Sequence, residues 1–155
     1  MGGQTAQQYY EQGIRVSMEE KKATLGNYLS STAHPADYAD YEQSYKYSAM
    51  STVSPKWDTA AGFEENLERI IIQKWIATYP SGWETWADIR RTGYPKFFPI
   101  VDNKSNSTVS SSRGMRRLPF PESEKNTNTA NVEAAVAMLE GSDTAATDLW
   151  WAKKD

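Results

Sequence analysis

"FEENLERIIIQKWIATYPSGWETWADIRRTGYP", residues Phe63 to Pro95, decides the fold of this chain. Its first half places Phe63, Leu67, Ile70, Ile71, Trp75 and Tyr79 at i, i+4, i+7, i+8, i+12 and i+16, the spacing of one apolar face of a long α-helix. Proline disfavours helical backbone in the residue before it, so Pro80 stops that helix. Ser81 to Glu84 then reads as a Ser-x-x-Glu capping box for a second one. The second helix should end near Thr92, because Gly93 suits the left-handed C-terminal cap and Pro95 cannot continue the ladder. Two helices separated by so short a break are expected to form an antiparallel hairpin.

Toward the N-terminus, Thr5 to Gln8 is a Thr-x-x-Gln capping box, and Tyr10, Ile14 and Met18 follow at i, i+4 and i+8. A first helix is expected from about Thr5 to about Lys22. Between Thr24 and Lys56, Gly, Asn, Ser and Pro flank the stretch "DYADYEQSYKYS", which fits neither a helical nor a strand period, so this region is expected to be irregular apart from one short element. Pro95 to Pro121 contains "DNKSNSTVSSS", too polar to pack, and reads as a surface loop, not a domain boundary. The core is expected to resume at "RRLPFP". Val132, Ala135, Val136 and Leu139 keep helical spacing, with Gly141 placed to close that helix. Leu149-Trp150-Trp151 reads as a docked anchor.

Composition bounds the function. At 155 residues the chain is the size of one domain, and a single region spanning 1–155 is the default. Mean hydropathy is −0.72, yet 6 Trp, 9 Tyr and 4 Phe supply apolar surfaces that disordered chains lack. A net charge of −3 argues against nucleic acid as a partner, since neutralising phosphates takes a concentrated basic surface. With no cysteine, disulfide, thiolate-metal and cysteine-nucleophile chemistries are excluded. The longest strongly apolar run, Ile70-Ile71-Ile72, falls far short of the roughly 20 residues a membrane helix needs.

Catalytic constellations are thin. His34, the only histidine, sits in a Ser/Pro-rich loop, and spacing places no acid and serine beside it. Glu64, Glu65, Glu68, Glu84 and Asp88 would serve a glycosidase only as a pair about 5–9 Å apart, and solvation of helix surfaces accounts for them as well. Asp102, Lys104 and Asn106 begin like a calcium loop, but Ser107 and Arg113 stand where glycine and glutamate are required. No catalytic residue, metal ligand or cofactor is assigned.

Two groups of residues remain. On one helical face Trp83, Trp86 and Arg90 lie at i, i+3 and i+7, with Asp88 and Arg91 able to pair on the next face. They form either an arginine clamp beside a stacking platform or a packing joint, and packing outweighs the clamp because Trp and Arg so spaced usually serve core edges. On that reading Trp83, Trp86 and Arg90 are largely buried, and Trp86→Ala costs about 3–5 kcal/mol. The tyrosines Tyr38, Tyr41, Tyr45 and Tyr47, with Trp57 nearby, offer flat faces to sugar rings or pack against the helices. Tyr41, Tyr45, Tyr47 and Trp57 are the ligand-binding candidates.

Beyond pattern, "YYEQGIRVSMEE", "RIIIQKWIATYPSGWETWADIRRTGYP", "RRLPFPESEKNTN" and "DLWWAKKD", in that order, resemble the C-terminal part of the SusD/RagB family of Bacteroidetes surface lipoproteins. The Gln-Lys-Trp-Ile helix, the Trp-x-Asp-x-Arg-Arg-Thr-Gly-Tyr-Pro run, the Arg-x-Pro-x-Pro-x-x-Glu run and the final Trp-Trp together cover nearly the whole chain. The resemblance implies a mainly α SusD-like C-terminal region with an antiparallel helix pair and long irregular loops. It makes Trp83, Trp86, Asp88, Arg90, Arg91, Gly93, Trp150 and Trp151 a structural signature. It also implies a non-catalytic subunit that binds an oligosaccharide or other nutrient at the outer surface of the outer membrane for a TonB-dependent, SusC-like transporter. The alternative from a different class is a helical interaction module docking a protein through an aromatic surface. Family members are several times longer, with tetratricopeptide-like helix pairs in their amino-terminal portion and a lipidated cysteine as their membrane anchor. The chain is therefore expected to represent a C-terminal portion, and to bind hydrophobic dye or self-associate where its apolar helix surface lacks a partner.

Overall fold

The computed structural model describes residues 3–42 and 44–152. They are mainly helical and divide into two compact units, Met1–Phe97 and Phe98–Asp155. The division falls inside the long connection that the sequence marks as a loop.

In the first unit, helix α1 (Ala6–Glu20) starts at the expected capping box: Thr5 Oγ1 accepts from the Gln8 N–H at 3.3 Å while Gln8 Oε1 accepts from the Thr5 N–H at 2.7 Å. Two amides left over by the first turn are thereby satisfied. One turn apart, Tyr10 and Ile14 are buried. A 3-10 turn (Tyr28–Ser30) and a two-stranded ribbon, β1 (Tyr38–Ala39) against β2 (Lys46–Tyr47), punctuate the irregular stretch that follows. The chain then runs back as a strap over the helices: Ser51 and Val53 are buried, the Lys56 N–H donates to Ser31 O, and the Tyr10 hydroxyl donates to Pro55 O at 2.6 Å.

Helices α2 (Phe63–Thr78) and α3 (Gly82–Thr92) form the expected pair. Its antiparallel sense shows in cross-links on either side of the bend: Lys74 with Glu84 close to it, and Glu68 with Lys96 and Glu64 with the Tyr94 hydroxyl farther out. Gly93 adopts φ 82° and its N–H reaches Ile89 O at 2.9 Å, which makes it the left-handed cap.

Two expectations for this pair are corrected. Ser81 forms no side-chain cap, and the Glu84 side chain reaches across to Lys74. The expected apolar stripe of α2 is also not its buried face. Ile71 is buried, but Phe63 is 78% exposed and Trp75, Ile76 and Tyr79 are exposed too, while Glu68 and Arg69 are buried. The strap and Lys96 cover that polar side. Arg69 donates to Ser54 O at 3.1 Å, to Glu65 at 3.0 Å and to Asn66, and Glu68 pairs with Lys96 at 3.0 Å. Charges so paired satisfy the condition for burial.

The second unit contains α4 (Glu122–Thr127), α5 (Thr129–Ala137) and a 3-10 turn (Trp150–Ala152). Its centre is ionic. Arg116 and Arg117, not the neighbouring Leu118, are the buried residues of "RRLPFP". Arg116 pairs with Asp148 at 2.6 Å, Arg113 joins the same carboxylate, and Asp143 accepts from Arg117 and from the Phe120 N–H at 3.1 Å and forms an ion pair with Lys125 at 3.2 Å. Helix α5 begins one turn earlier than its spacing predicts and is not closed by Gly141. Glu140 takes the left-handed conformation (φ 56°), and Gly141 instead makes room for Thr147, whose Cγ2 would lie 3.0 Å from an added Cβ. The anchor reading of Leu149-Trp150-Trp151 is likewise corrected: Trp150 is 82% exposed, Trp151 is exposed, and Ala152 is what packs.

The two aspartates of this network give a pH dependence. Burial alone would raise both carboxyls, but Arg117, the Phe120 N–H and Lys125 around Asp143, and Arg116 and Arg113 around Asp148, outweigh it and hold both below the usual aspartate range. The folded unit therefore binds fewer protons than the unfolded chain. Its contribution is full above about pH 4, where unfolded aspartates are ionised, and disappears as pH falls through the lowered values. The double change Asp143→Asn, Asp148→Asn should lower the melting temperature at pH 7, and the gap to the parent should narrow toward pH 3. A gap of constant size would rule this linkage out.

Candidate functional site

The tyrosine ribbon is held by carboxylates acting on backbone. Asp40 Oδ1 accepts from the Tyr45 N–H at 2.8 Å while the Asp40 N–H donates to Tyr45 O at 3.1 Å, closing the loop between the strands. Asp37 Oδ1 accepts from the Ala49 N–H at 2.8 Å. Tyr38 lies directly opposite Tyr47, so both rings share one face of the ribbon. Tyr41 at the loop is fully exposed, Tyr45 is exposed and Tyr47 is half-buried. The structure thus brings Tyr41, Tyr45 and Tyr47 onto one small ribbon with two rings open to solvent. Trp57 is not part of it, since its ring sits 5.2 Å from that of Tyr10 on α1. Asp37 and Asp40, which shape the ribbon, are residues that sequence reasoning passed over. Their signal was an aspartate preceding each of the first two tyrosines, a residue type that commonly bonds to nearby backbone amides.

The second group, on α3, separates into a buried centre and an exposed edge. Asp88 is 5% exposed and lies 2.8 Å from Lys74 Nζ and 3.0 Å from Arg91. Below it, the Thr92 hydroxyl donates to Asp88 O at 2.7 Å and its oxygen accepts from the Tyr94 N–H at 3.0 Å. Its hydrogen bond to Asp88, more than any other influence, raises the Lys74 ammonium above the usual lysine range. On the adjoining face the Arg90 guanidinium lies 3.6 Å from the centre of the Trp86 ring, and Trp83 meets Trp86 edge-on at 5.6 Å. Trp83 is 72% exposed and Trp86 and Arg90 are half-buried, which corrects the expectation that the three form a largely buried joint. The physical reason is that Lys74 of α2 reaches Asp88, so the Asp88 side of α3 is the one turned to its neighbour. With Arg90 stacked and Arg91 paired, the motif is not arranged as a fork of guanidinium groups aimed at a single anion.

Among the described residues no group of three or more His, Asp or Glu side chains is placed to hold a metal, and no helix is long and apolar enough to cross a membrane. What the geometry offers is flat aromatic surface on a hydrogen-bonded ribbon, suited to stacking.

The family model described as "SusD-like: Susd and RagB outer membrane lipoprotein" matches residues 1–152. Solved structures agree. A SusD homologue from Bacteroides uniformis is 46% identical with a TM-score of 0.91, over 97% of this chain and 32% of its own. A SusD-like protein from Bacteroides thetaiotaomicron is 44% identical with a TM-score of 0.88, over 99% and 33%. A chitin-binding SusD homologue from Flavobacterium johnsoniae is 38% identical with a TM-score of 0.89, over 99% and 32%. No curated protein sequence matches. The chain spans about a third of the length of these solved relatives. With the family model matched from end to end of the described residues and this fold repeated at such identity, the chain belongs to the SusD-like family of SusD and RagB outer membrane lipoproteins.

Proposed function

We propose that this chain is part of a non-catalytic glycan-binding protein at the outer surface of the outer membrane, which passes captured oligosaccharide to a TonB-dependent transporter. The observation that carries the reading is the family match over residues 1–152. It is supported by the likeness to a chitin-binding relative across 99% of the chain. Membrane association on this reading comes from a lipid carried outside these residues. The residues proposed to meet the sugar are Tyr41 and Tyr45, whose rings are solvent-exposed on a ribbon fixed by Asp37 and Asp40. Tyr47 supports them from the same ribbon. Trp57 is proposed only as a packing residue.

Affinity electrophoresis through a panel of polysaccharides that includes soluble chitin derivatives, run beside an assay for new reducing ends, tests this. Retardation without cleavage is expected. Changing Tyr41 and Tyr45 together to alanine should weaken it by about tenfold or more, the usual consequence of losing a stacking contact, without moving the melting temperature. New reducing ends would overturn the non-catalytic reading. No retardation on any gel would favour the protein-docking alternative.

A further inference from the structure

The register of the ribbon sorts its side chains by face. Tyr38 pairs with Tyr47 and Ala39 with Lys46, and the Asp40 N–H, donating to Tyr45 O at 3.1 Å, carries that register one step further. Alternate residues of a strand share a face, so Tyr38, Tyr45 and Tyr47 line one side together with Asp40, and Lys46 is turned to the other. Tyr41 and Glu42 stand at the tip, both exposed.

Charge is spread unevenly over this surface. Residues 37–47 contain three carboxylates, Asp37, Asp40 and Glu42, and one cation, Lys46. Asp37 and Asp40 each commit one oxygen to a backbone amide, a neutral partner that leaves their negative charge in place. Among the described residues Asp37 and Glu42 form no ion pair. Aromatic faces are themselves electron-rich. The tyrosine side therefore joins flat apolar rings to a negative potential, and its only nearby lysine lies behind it. An ammonium is drawn both to the rings and to the carboxylates, whereas an anionic group is repelled by both.

We propose that the tyrosine face of the ribbon selects glycans by charge: it takes sugars bearing a free amine in preference to neutral ones and excludes uronic-acid and sulfated chains, with Asp40 and Glu42 as the specificity-determining residues. This rests on the glycan reading of the same ribbon. A neutral glycan makes the stacking contact alone, an amino glycan adds cation–π and Coulomb attraction, and an acidic glycan finds no cation on this side.

Three β-1,4-linked hexamers that differ chiefly in charge serve as probes: a chitosan hexamer, its fully N-acetylated counterpart and a glucuronic acid hexamer. Their dissociation constants are measured in mildly acidic, low-salt buffer, which keeps the sugar amines protonated. The chitosan hexamer should bind about fivefold tighter than the acetylated one, and the glucuronic acid hexamer at least about fivefold weaker. Salt at about 1 M, where the screening length is roughly 3 Å, should bring the three together. Asp40→Asn combined with Glu42→Gln should do the same at low salt. The asparagine keeps an oxygen for the Tyr45 N–H, so the melting temperature should hold. Glu42→Lys should raise affinity for the glucuronic acid hexamer and lower it for the chitosan hexamer. Equal affinities, the reverse order, or a preference that survives the double change would overturn the charge selection while leaving the glycan reading standing. Binding of none of the three would overturn it too, and the polysaccharide gels then decide separately whether the glycan reading fails with it.

Discussion

Asp143→Ala is expected to destabilise the second unit by about 3–5 kcal/mol, the range for removing one partner of a buried ion pair. The magnitude follows from what is left behind. Arg117 is buried and would keep its charge with no carboxylate beside it, and the Phe120 amide would lose its acceptor in the same step. Lys125 is part-exposed and returns to water at little cost. A small domain holds only about 5–15 kcal/mol in total, so a loss of this size removes a large fraction of the unit's stability. Asp143→Asn separates charge from hydrogen bonding: it keeps an oxygen for the Phe120 N–H but not the ion pairs, and should fall between parent and alanine. Urea unfolding followed by hydrogen exchange resolved to residues 98–152 would measure each variant. If Asp143→Ala lost less than about 1 kcal/mol, the ordinary value of an exposed pair, the ionic centre would be a surface feature and the stability of this unit would lie elsewhere.

That centre also shows where sequence reading stops. The helix pair was legible because its signals are local: the spacing along α2, the proline at its end, the glycine at position 93, and the Thr5–Gln8 box at the head of α1. Each is a relation among residues within about two turns, and local backbone energetics decides it. Arg117 and Asp143 are 26 residues apart and Arg116 and Asp148 are 32 apart, and no local rule joins them. "RRLPFP" marks where the core resumes, as the sequence suggests, but it is core through its arginines. Helix α2 makes the same point from the other side. Periodicity identified an apolar stripe, but which face becomes buried depends on what lies against it. Here the strap past Ser54 lies against Arg69, leaving Phe63, Trp75 and Tyr79 open.

The candidate site was legible as composition and not as geometry. Tyr41, Tyr45, Tyr47 and Trp57 were grouped because they are aromatic and near one another in the chain, and three of the four share a ribbon. Each strand of that ribbon has only two residues, too few to show a period of two. Trp57 departs because a large indole gains more from packing on Tyr10 than from remaining in water.

Asp88→Ala is the second large effect expected, at about 2 kcal/mol, and set beside Trp83→Ala it decides what the Trp83–Gly93 motif is for. Asp88 is where the pair of helices is joined, since one buried carboxylate holds Lys74 of α2 at 2.8 Å and Arg91 of α3 at 3.0 Å. Both cations are part-exposed and regain water when it is removed, which places the loss below the range for pairs whose breaking strands a buried charge. Trp83 touches Trp86 only by its edge and is otherwise in solvent, so Trp83→Ala should change stability by less than about 0.5 kcal/mol. Trp86→Ala should fall between the two, because a half-buried indole loses the Arg90 stack and only part of a core contact; the 3–5 kcal/mol of a fully buried ring does not apply. Thermal unfolding of the three variants gives the order directly. If Trp83→Ala proved as damaging as Asp88→Ala, the indoles would be the joint and the exposed position of Trp83 would misstate its role. The opposite order, with Trp83→Ala silent in stability but weaker in glycan retardation, would make the edge of α3 a contact surface resting on an ionic joint. One short motif would then serve both purposes on different faces of the same helix.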